Sequence, residues 1–240
     1  MKKMLLLMLA LAAPLMVRAA PLDDAHRAFA EGRYHDSMLA YQAILAEKGF
    51  SAPVLFDLGN SLFREGDYAQ AILAYKRAQW LAPGDADIAA NLRQAETKAG
   101  LPPATPVRFG TITHALNTTQ WAWLGCASWT VFCLGILGRA LLPRMKALFV
   151  LSGTLGALVL TGVIAAITLS SQALGQAVVT DKNAAALISP FPAAQKVFAP
   201  SPGETVTVEK AYDDYFLVSD AAGHSGWIAK SQVAPIVPSA

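Results

Sequence analysis

The chain has 240 residues, 54% of them hydrophobic and 15% charged, against about 25% charged in an ordinary soluble domain. Its formal net charge of +2 is too small to point to a nucleic-acid partner. A single soluble domain is excluded as well, because no charged residue occurs from Ala115 to Gly138 or from Ala147 to Thr180, and each stretch exceeds the roughly 20 residues needed to cross ~30 Å of hydrocarbon.

The first segment has the pattern of an export signal. Lys2 and Lys3 form a basic start, Met4–Leu15 an apolar core, and Val17-Arg18-Ala19 puts small residues at the −3 and −1 positions of a cleavage site. Residues 1–19 are expected to be a signal peptide cut after Ala19, with Ala20 the next choice and an uncleaved anchor the alternative. No Cys follows, so the signal is not of the lipoprotein type.

Residues 20–100 alternate helical periodicity with short turns. Gly32, Tyr34 and Tyr41 recur as Gly66, Tyr68 and Tyr75, each 34 residues later (66 − 32 = 34). Two units fit, about 18–51 and 52–85. In the second, Leu58-Gly59 is a tight pair at which glycine lets a partner helix approach. Leu62, Ala71, Tyr75 and Ala78 fall on buried faces, Gly66-Asp67-Tyr68 turns into the second helix, and Pro83 ends it. The period and these residues resemble the tetratricopeptide repeat, a helix–turn–helix unit that stacks on its neighbours and offers a concave surface to another polypeptide. The first unit departs from that pattern, with Asp24 and Ala25 at the Leu-Gly positions and Ser37 where alanine is usual. Asp85-Ala86-Asp87 opens a third helix, Ile88–Ala99, with Asp85 as N-cap and Asp87 at the positive end of the dipole. This helix is expected to cap the stack. Two repeats and a cap leave apolar surface short of neighbours, so the domain is expected to lean on the membrane or on a partner.

The tetratricopeptide resemblance also implies a groove. Asn60 falls at the ninth position of the second repeat and Asn91 at the sixth of the capping helix. The pair resembles the asparagines with which some repeat proteins hold a peptide backbone, since a carboxamide offers donor and acceptor to any sequence. The family's carboxylate clamp carries a lysine four positions before the first asparagine. Here Phe56 stands there, which argues against a C-terminal carboxylate ligand. Phe56, Phe63 and Arg64 are expected to give an apolar groove with one cation, and Lys98 a second. The alternative is that Asn60 and Asn91 are solvated or capping residues.

Gly100-Leu101-Pro102-Pro103-Ala104-Thr105-Pro106 breaks the helical pattern and leads into a stiff, extended linker, residues 101–120. Two transmembrane helices are expected at 121–142 and 147–169, with Trp121 and Trp123 as interfacial anchors. Arg139, Arg144 and Lys146 cluster around the short loop 143–146, and positive charge marks the cytoplasmic side. Together with the export signal, this places both termini on the periplasmic face of a bacterial inner membrane. Cys126 and Cys133 lie seven residues apart, about 10 Å along a helix, beyond the ~7 Å Cα limit of a disulfide. They are read as packing or lipid-facing residues, with an intermolecular bond as the alternative. Small residues at Ser152/Gly156 and Gly162/Ala166 suit close helix packing.

Residues 177–237 change to short β-type runs, Ala177-Val178-Val179, Val206-Thr207-Val208, Phe216-Leu217-Val218 and Gly226-Trp227-Ile228, separated by turn residues. Gly203-Glu204-Thr205-Val206-Thr207-Val208, Tyr215-Phe216 and Gly226-Trp227-Ile228 together resemble a bacterial SH3-like domain, which implies a small all-β barrel. Tyr212, Asp213, Asp214, Tyr215 and Phe216 form an aromatic and acidic candidate ligand patch, since SH3-type folds bind extended peptides between aromatic side chains. The alternative puts some of these aromatics in the barrel core, where Trp227 is expected.

No phosphate-binding glycine loop and no His-Glu-x-x-His motif occurs. Gly223-His224-Ser225-Gly226 approaches a nucleophile elbow, but Trp227 replaces the final glycine. His26, His35, His114 and His224 are scattered without ligand spacing. No catalytic residue, cofactor or metal is therefore expected. The whole order of segments resembles the BatE group of the Bacteroides aerotolerance (Bat) system. That resemblance implies von Willebrand factor A membrane proteins and a MoxR-type ATPase system as partners, beside the lipid bilayer. The chain is thus expected to be a multidomain membrane protein: an all-α tetratricopeptide-repeat solenoid, a two-helix transmembrane hairpin and a C-terminal SH3-like small β-barrel. Its expected role is that of a non-enzymatic inner-membrane scaffold in an envelope or oxidative-stress complex. The alternative is a cell-wall or peptide-sensing protein acting through its SH3-like domain.

Overall fold

The computed structural model describes residues 21–102, 118–171 and 175–237. The expected signal peptide, most of the linker including Arg108 and His114, and the side chain of Ala166 lie outside the described residues. Among the described residues, five helices come first: α1 (Pro21–Ala30), α2 (Tyr34–Lys48), α3 (Ala52–Glu65), α4 (Tyr68–Leu81) and α5 (Ala86–Lys98), each packed on the next. Asp67 caps α4 through the Gln70 N–H, and Asp85 caps α5 through the N–H groups of Asp87 and Ile88. Gly32, Gly66 and Gly100 all have positive φ, at 77°, 82° and 73°. The chain turn that glycine permits therefore recurs a third time at the 34-residue interval, so α5 ends as α1 and α3 do.

Gly59 explains the close approach of α3 and α4. A Cβ there would lie 2.5 Å from a ring carbon of Tyr75, which is itself 1% exposed. In the first unit Ala25 and Tyr41 are likewise buried. Ser37, the departure from alanine, is fully buried, and its hydroxyl lies 3.0 Å from that of Ser61, which donates in turn to the Asp57 carbonyl. The polar pair satisfies itself, so its burial is tolerated.

Two helices, α6 (Thr118–Leu141) and α7 (Lys146–Ser171), are long and apolar enough to cross a membrane. A 3₁₀ turn, Pro143–Met145, joins them. At 24 and 26 residues they span about 36 and 39 Å. Their large apolar side chains point outward, with Trp123 72%, Leu151 67% and Leu158 71% exposed, unlike the core helices of a soluble domain. The seam between them is made of Ser128, Gly135 and Gly138 on α6 against Gly153, Gly156 and Val163 on α7. A Cβ on Gly135 would sit 2.7 Å from the Gly153 Cα, and one on Gly156 would sit 2.9 Å from the Phe132 nitrogen. Of the small residues marked in the sequence, Gly156 lies at the seam. Gly162 faces open space. Cys126 and Cys133 are free and exposed.

The C-terminal region is one antiparallel sheet of seven strands, β1 (Gln176–Val179), β2 (Ala186–Leu187), β3 (Lys196–Phe198), β4 (Thr205–Tyr212), β5 (Tyr215–Ser219), β6 (Ser225–Ala229) and β7 (Val233–Pro235), in the order β3-β2-β6-β5-β4-β1-β7. It is open at β3 and β7, not the closed barrel expected from the sequence. Part of the reason lies in the helices. In β1, Ala177 and Val179 face the sheet's own core, while Val178 joins the core of the helical stack together with Ile236. A strand buried on both faces reads as a continuous apolar run, which is how Ala177-Val178-Val179 reads. Arg77 of α4 donates to the Pro235 carbonyl at 2.9 Å. At Gly203 (φ 86°), a Cβ would meet the Ile72 side chain at 2.7 Å. The helical stack thus leans on the protein's own sheet.

Candidate protein-binding sites

The first site lies on the helical stack, in a concavity of about 200 Å³ lined by Phe29 of α1, Asn60, Phe63 and Arg64 of α3, Tyr75 of α4, and Asn91 and Gln94 of α5. Asn60 and Asn91 do converge. Asn91 Nδ2 donates to Asn60 Oδ1 at 2.9 Å, and the Tyr75 hydroxyl donates to the same oxygen at 2.8 Å. Burial holds the Tyr75 pKa above the usual phenol value, so the hydroxyl stays a donor. With Asn60 Oδ1 accepting twice, the carboxamides keep Asn60 Nδ2 as donor and Asn91 Oδ1 as acceptor, beside the second N–H of Asn91 Nδ2. Donors beside an acceptor match a peptide group.

The walls differ in part from the sequence reading. Phe63 lines the concavity, edge-on to Tyr68, and Arg64 lies 4.3 Å above the Tyr34 ring. Phe56 is turned away. It packs half-buried against the core with its ring 6.0 Å from that of Tyr75. Phe29 supplies the apolar wall instead, and its ring sits 5.3 Å from Tyr34. Lys98, in the last turn of α5, is exposed and does not line the concavity, where Gln94 takes part. The i, i+3 spacing of Asn91 and Gln94 on one helix face is the signal that could have found Gln94. The volume is below the ~300–1,000 Å³ of small-molecule sites and suits a side chain or a stretch of main chain.

The second site is a cleft of about 530 Å³ on the sheet, lined by Pro190, Phe191 and Pro192 from the β2–β3 loop, Tyr212, Asp213, Asp214 and Tyr215 from the β4–β5 turn, and Ala229, Lys230 and Ser231 after β6. Tyr212 and Tyr215 face each other in the register, closing a two-residue turn in which Asp213 has φ 46°. Phe216 does not belong to this cleft. Side chains alternate across a strand, and Phe216, paired with Ile228, packs on the sheet's core. Trp227 is on the outer face, half-buried, with its ring edge-on to Tyr212 at 6.2 Å. Its neighbours Gly226 and Ile228 point inward, where the Ala186 Cβ, 2.8 Å away, leaves no room for a Cβ on Gly226. The Pro190–Pro192 wall was not singled out in the sequence, because the two flanking strands are only two and three residues long.

Compared with protein-family models, curated proteins and solved structures, the chain matches none.

Proposed function

We propose that this protein is a non-enzymatic membrane scaffold whose helical stack, read as tetratricopeptide repeats, docks an extended segment of a partner protein. The observation that carries this reading is the Asn60–Asn91–Tyr75 cluster, which leaves carboxamide donors and an acceptor in a concavity smaller than ordinary small-molecule sites. The order of segments resembles the BatE group, and on that resemblance the partners are von Willebrand factor A membrane proteins working with a MoxR-type ATPase. The sheet, read as an SH3-like module, is the second contact surface of the scaffold. A cell-wall or peptide-sensing role through that sheet is favoured by one observation, the larger cleft beside Tyr212.

The topology follows the same logic. Residues before and after the two apolar helices share one core and the Arg77–Pro235 hydrogen bond. A chain that crosses a bilayer twice returns to the side it left, as that contact requires. The cluster Arg139, Arg144, Lys146 favours a cytoplasmic loop, hence a periplasmic stack and sheet. Copurification with a von Willebrand factor A protein is expected to be lost in Asn60→Ala/Asn91→Ala and kept in Tyr212→Ala. Unchanged recovery with the asparagine variant would remove the groove from the mechanism. With Cys126 and Cys133 replaced by serine, a cysteine at position 145 should resist an impermeant maleimide added from outside. Labelling there reverses the orientation.

A further inference from the structure

We infer that the cleft on the sheet binds a basic side chain, lysine or arginine, carried by an extended polypeptide, with its cation between the rings of Phe191, Tyr212 and Tyr215 and the carboxylates of Asp213 and Asp214. This rests on the reading of the sheet as a second binding surface and names what that surface takes.

Phe191 and Tyr212 are 59% and 54% exposed, a cost in water that a ligand removes. Both rings are held in place beforehand. Pro190 and Pro192 flank Phe191 and fix the loop backbone on either side, while Trp227 backs Tyr212. Holding the rings before binding reduces the entropy lost on association.

The charges decide the sign of the ligand. Among the described residues, neither Asp213 nor Asp214 has a cationic nitrogen within the 4.0 Å of an ion pair. Lys230 also lines the cleft, but its ammonium sits 5.3 Å from the Phe216 ring centroid and pairs with neither carboxylate. The turn carrying the carboxylates is fixed: the Asp214 carbonyl accepts the Lys230 N–H at 2.8 Å. Asp213 holds the left-handed conformation, which a short polar side chain tolerates best. Two unpaired carboxylates beside aromatic faces attract a cation twice, through Coulomb attraction and through the ring quadrupoles, the latter about 0.5–2 kcal/mol. The same carboxylates repel an anionic lipid surface. The cleft volume of about 530 Å³ takes a long basic side chain with part of its main chain, which the helical concavity of about 200 Å³ does not.

The test uses the full chain in nanodiscs of zwitterionic lipid and two fluorescent alanine- and proline-based decapeptides, one with a central lysine and one with glutamine there. The lysine peptide should bind about ten-fold tighter by fluorescence polarisation, and more weakly as salt is added. Asp214→Asn, an exposed change that leaves the core intact, and Tyr212→Ala should each erase most of that preference. Asn60→Ala/Asn91→Ala should leave it unchanged, which separates this site from the helical groove. Equal affinity for the two peptides, or no effect of Asp214→Asn, overturns the inference. So does binding to phosphatidylglycerol vesicles that depends on Phe191 in the absence of peptide binding, which would make the cleft a bilayer contact.

Discussion

Asn60 spends its carbonyl oxygen inside the protein, on Tyr75 and Asn91, and this sets what the groove can offer a ligand. The pairing of Asn60 and Asn91 was legible through the tetratricopeptide resemblance, not through the 34-residue period, which carries Asn60 to Gln94 (60 + 34 = 94). The Tyr75 bond was not, since it comes from a third helix. Gly59 was legible from the Leu58-Gly59 pair of the second unit, although the first unit carries Ala25 there. Gly59→Ala gains about 1 kcal/mol of helix propensity but drives a methyl group into the Tyr75 ring, an overpacking worth about 1–3 kcal/mol. Denaturant melts are expected to show a net loss, and an unchanged midpoint would mean that α3 and α4 separate freely. Asp220 shows a second local constraint. Enclosure raises its pKa, but hydrogen bonds from the His224 ring and the backbone N–H groups of His224 and Ala222 outweigh this and hold it below the usual carboxylate value. A carboxyl group with a depressed folded-state pKa stabilises above its unfolded value, about 3.9, and that contribution disappears as pH falls through the folded value. Asp220→Asn should therefore be less stable than the wild type at pH 7. The gap between the two should narrow as the pH falls below about 4, measured by chemical denaturation. A constant gap would assign the loss to geometry alone.

Elements were legible in proportion to their length. The apolar runs of α6 and α7 are unmistakable from charge-free stretches, and their observed ends, Thr118–Leu141 and Lys146–Ser171, lie within a few residues of the expected spans. Which small residues form their seam was not legible, because α7 carries glycines on more than one face and only the partner helix selects among them. The seam gives a paired prediction. Gly135→Leu places a side chain against the Gly153 backbone, whereas Gly162→Leu enters open space. Thermal stability in detergent should fall for the first and hold for the second. Equal effects would break the α6–α7 packing described above. In the sheet, the longer strands β4, β5 and β6 each contain one of the expected β-type runs, while β2 and β3, two and three residues long, left no pattern to read. Phe216 falls under the core alternative and Trp227 lies outside the core where it was expected, because a run such as Tyr215-Phe216-Leu217 has aromatic or aliphatic residues on both sides and only the pairing with β6 tells them apart.

At the scale of the whole molecule, the two ends of the chain meet. The Arg77 guanidinium donates to Pro235, lies 5.1 Å from the Phe50 ring, and keeps a buried Nε with no partner among the described residues. Burial lowers its pKa. A hydrogen bond from a charged group contributes about 1.5–3 kcal/mol. Arg77→Ala is expected to cost stability in that range and to speed amide exchange at Ile236, whose N–H bonds Gln176 in β1, while leaving the Asn60–Asn91 pair intact. Unaltered exchange at Ile236 would mean that the apolar contact of Val178 and Ile236 holds the junction without Arg77. By itself, the sequence determined the periodic helices, their glycine turns, the two apolar spans and the positive loop. Each of these is written in residues close along the chain, or repeated at a fixed interval. Only the tertiary structure decided that the stack rests on β1 and β7, that the sheet stays open, and that Phe29 replaces Phe56 in the groove. Those outcomes depend on contacts such as Arg77 with Pro235, between residues far apart in the chain, where no local pattern records which surface finds which.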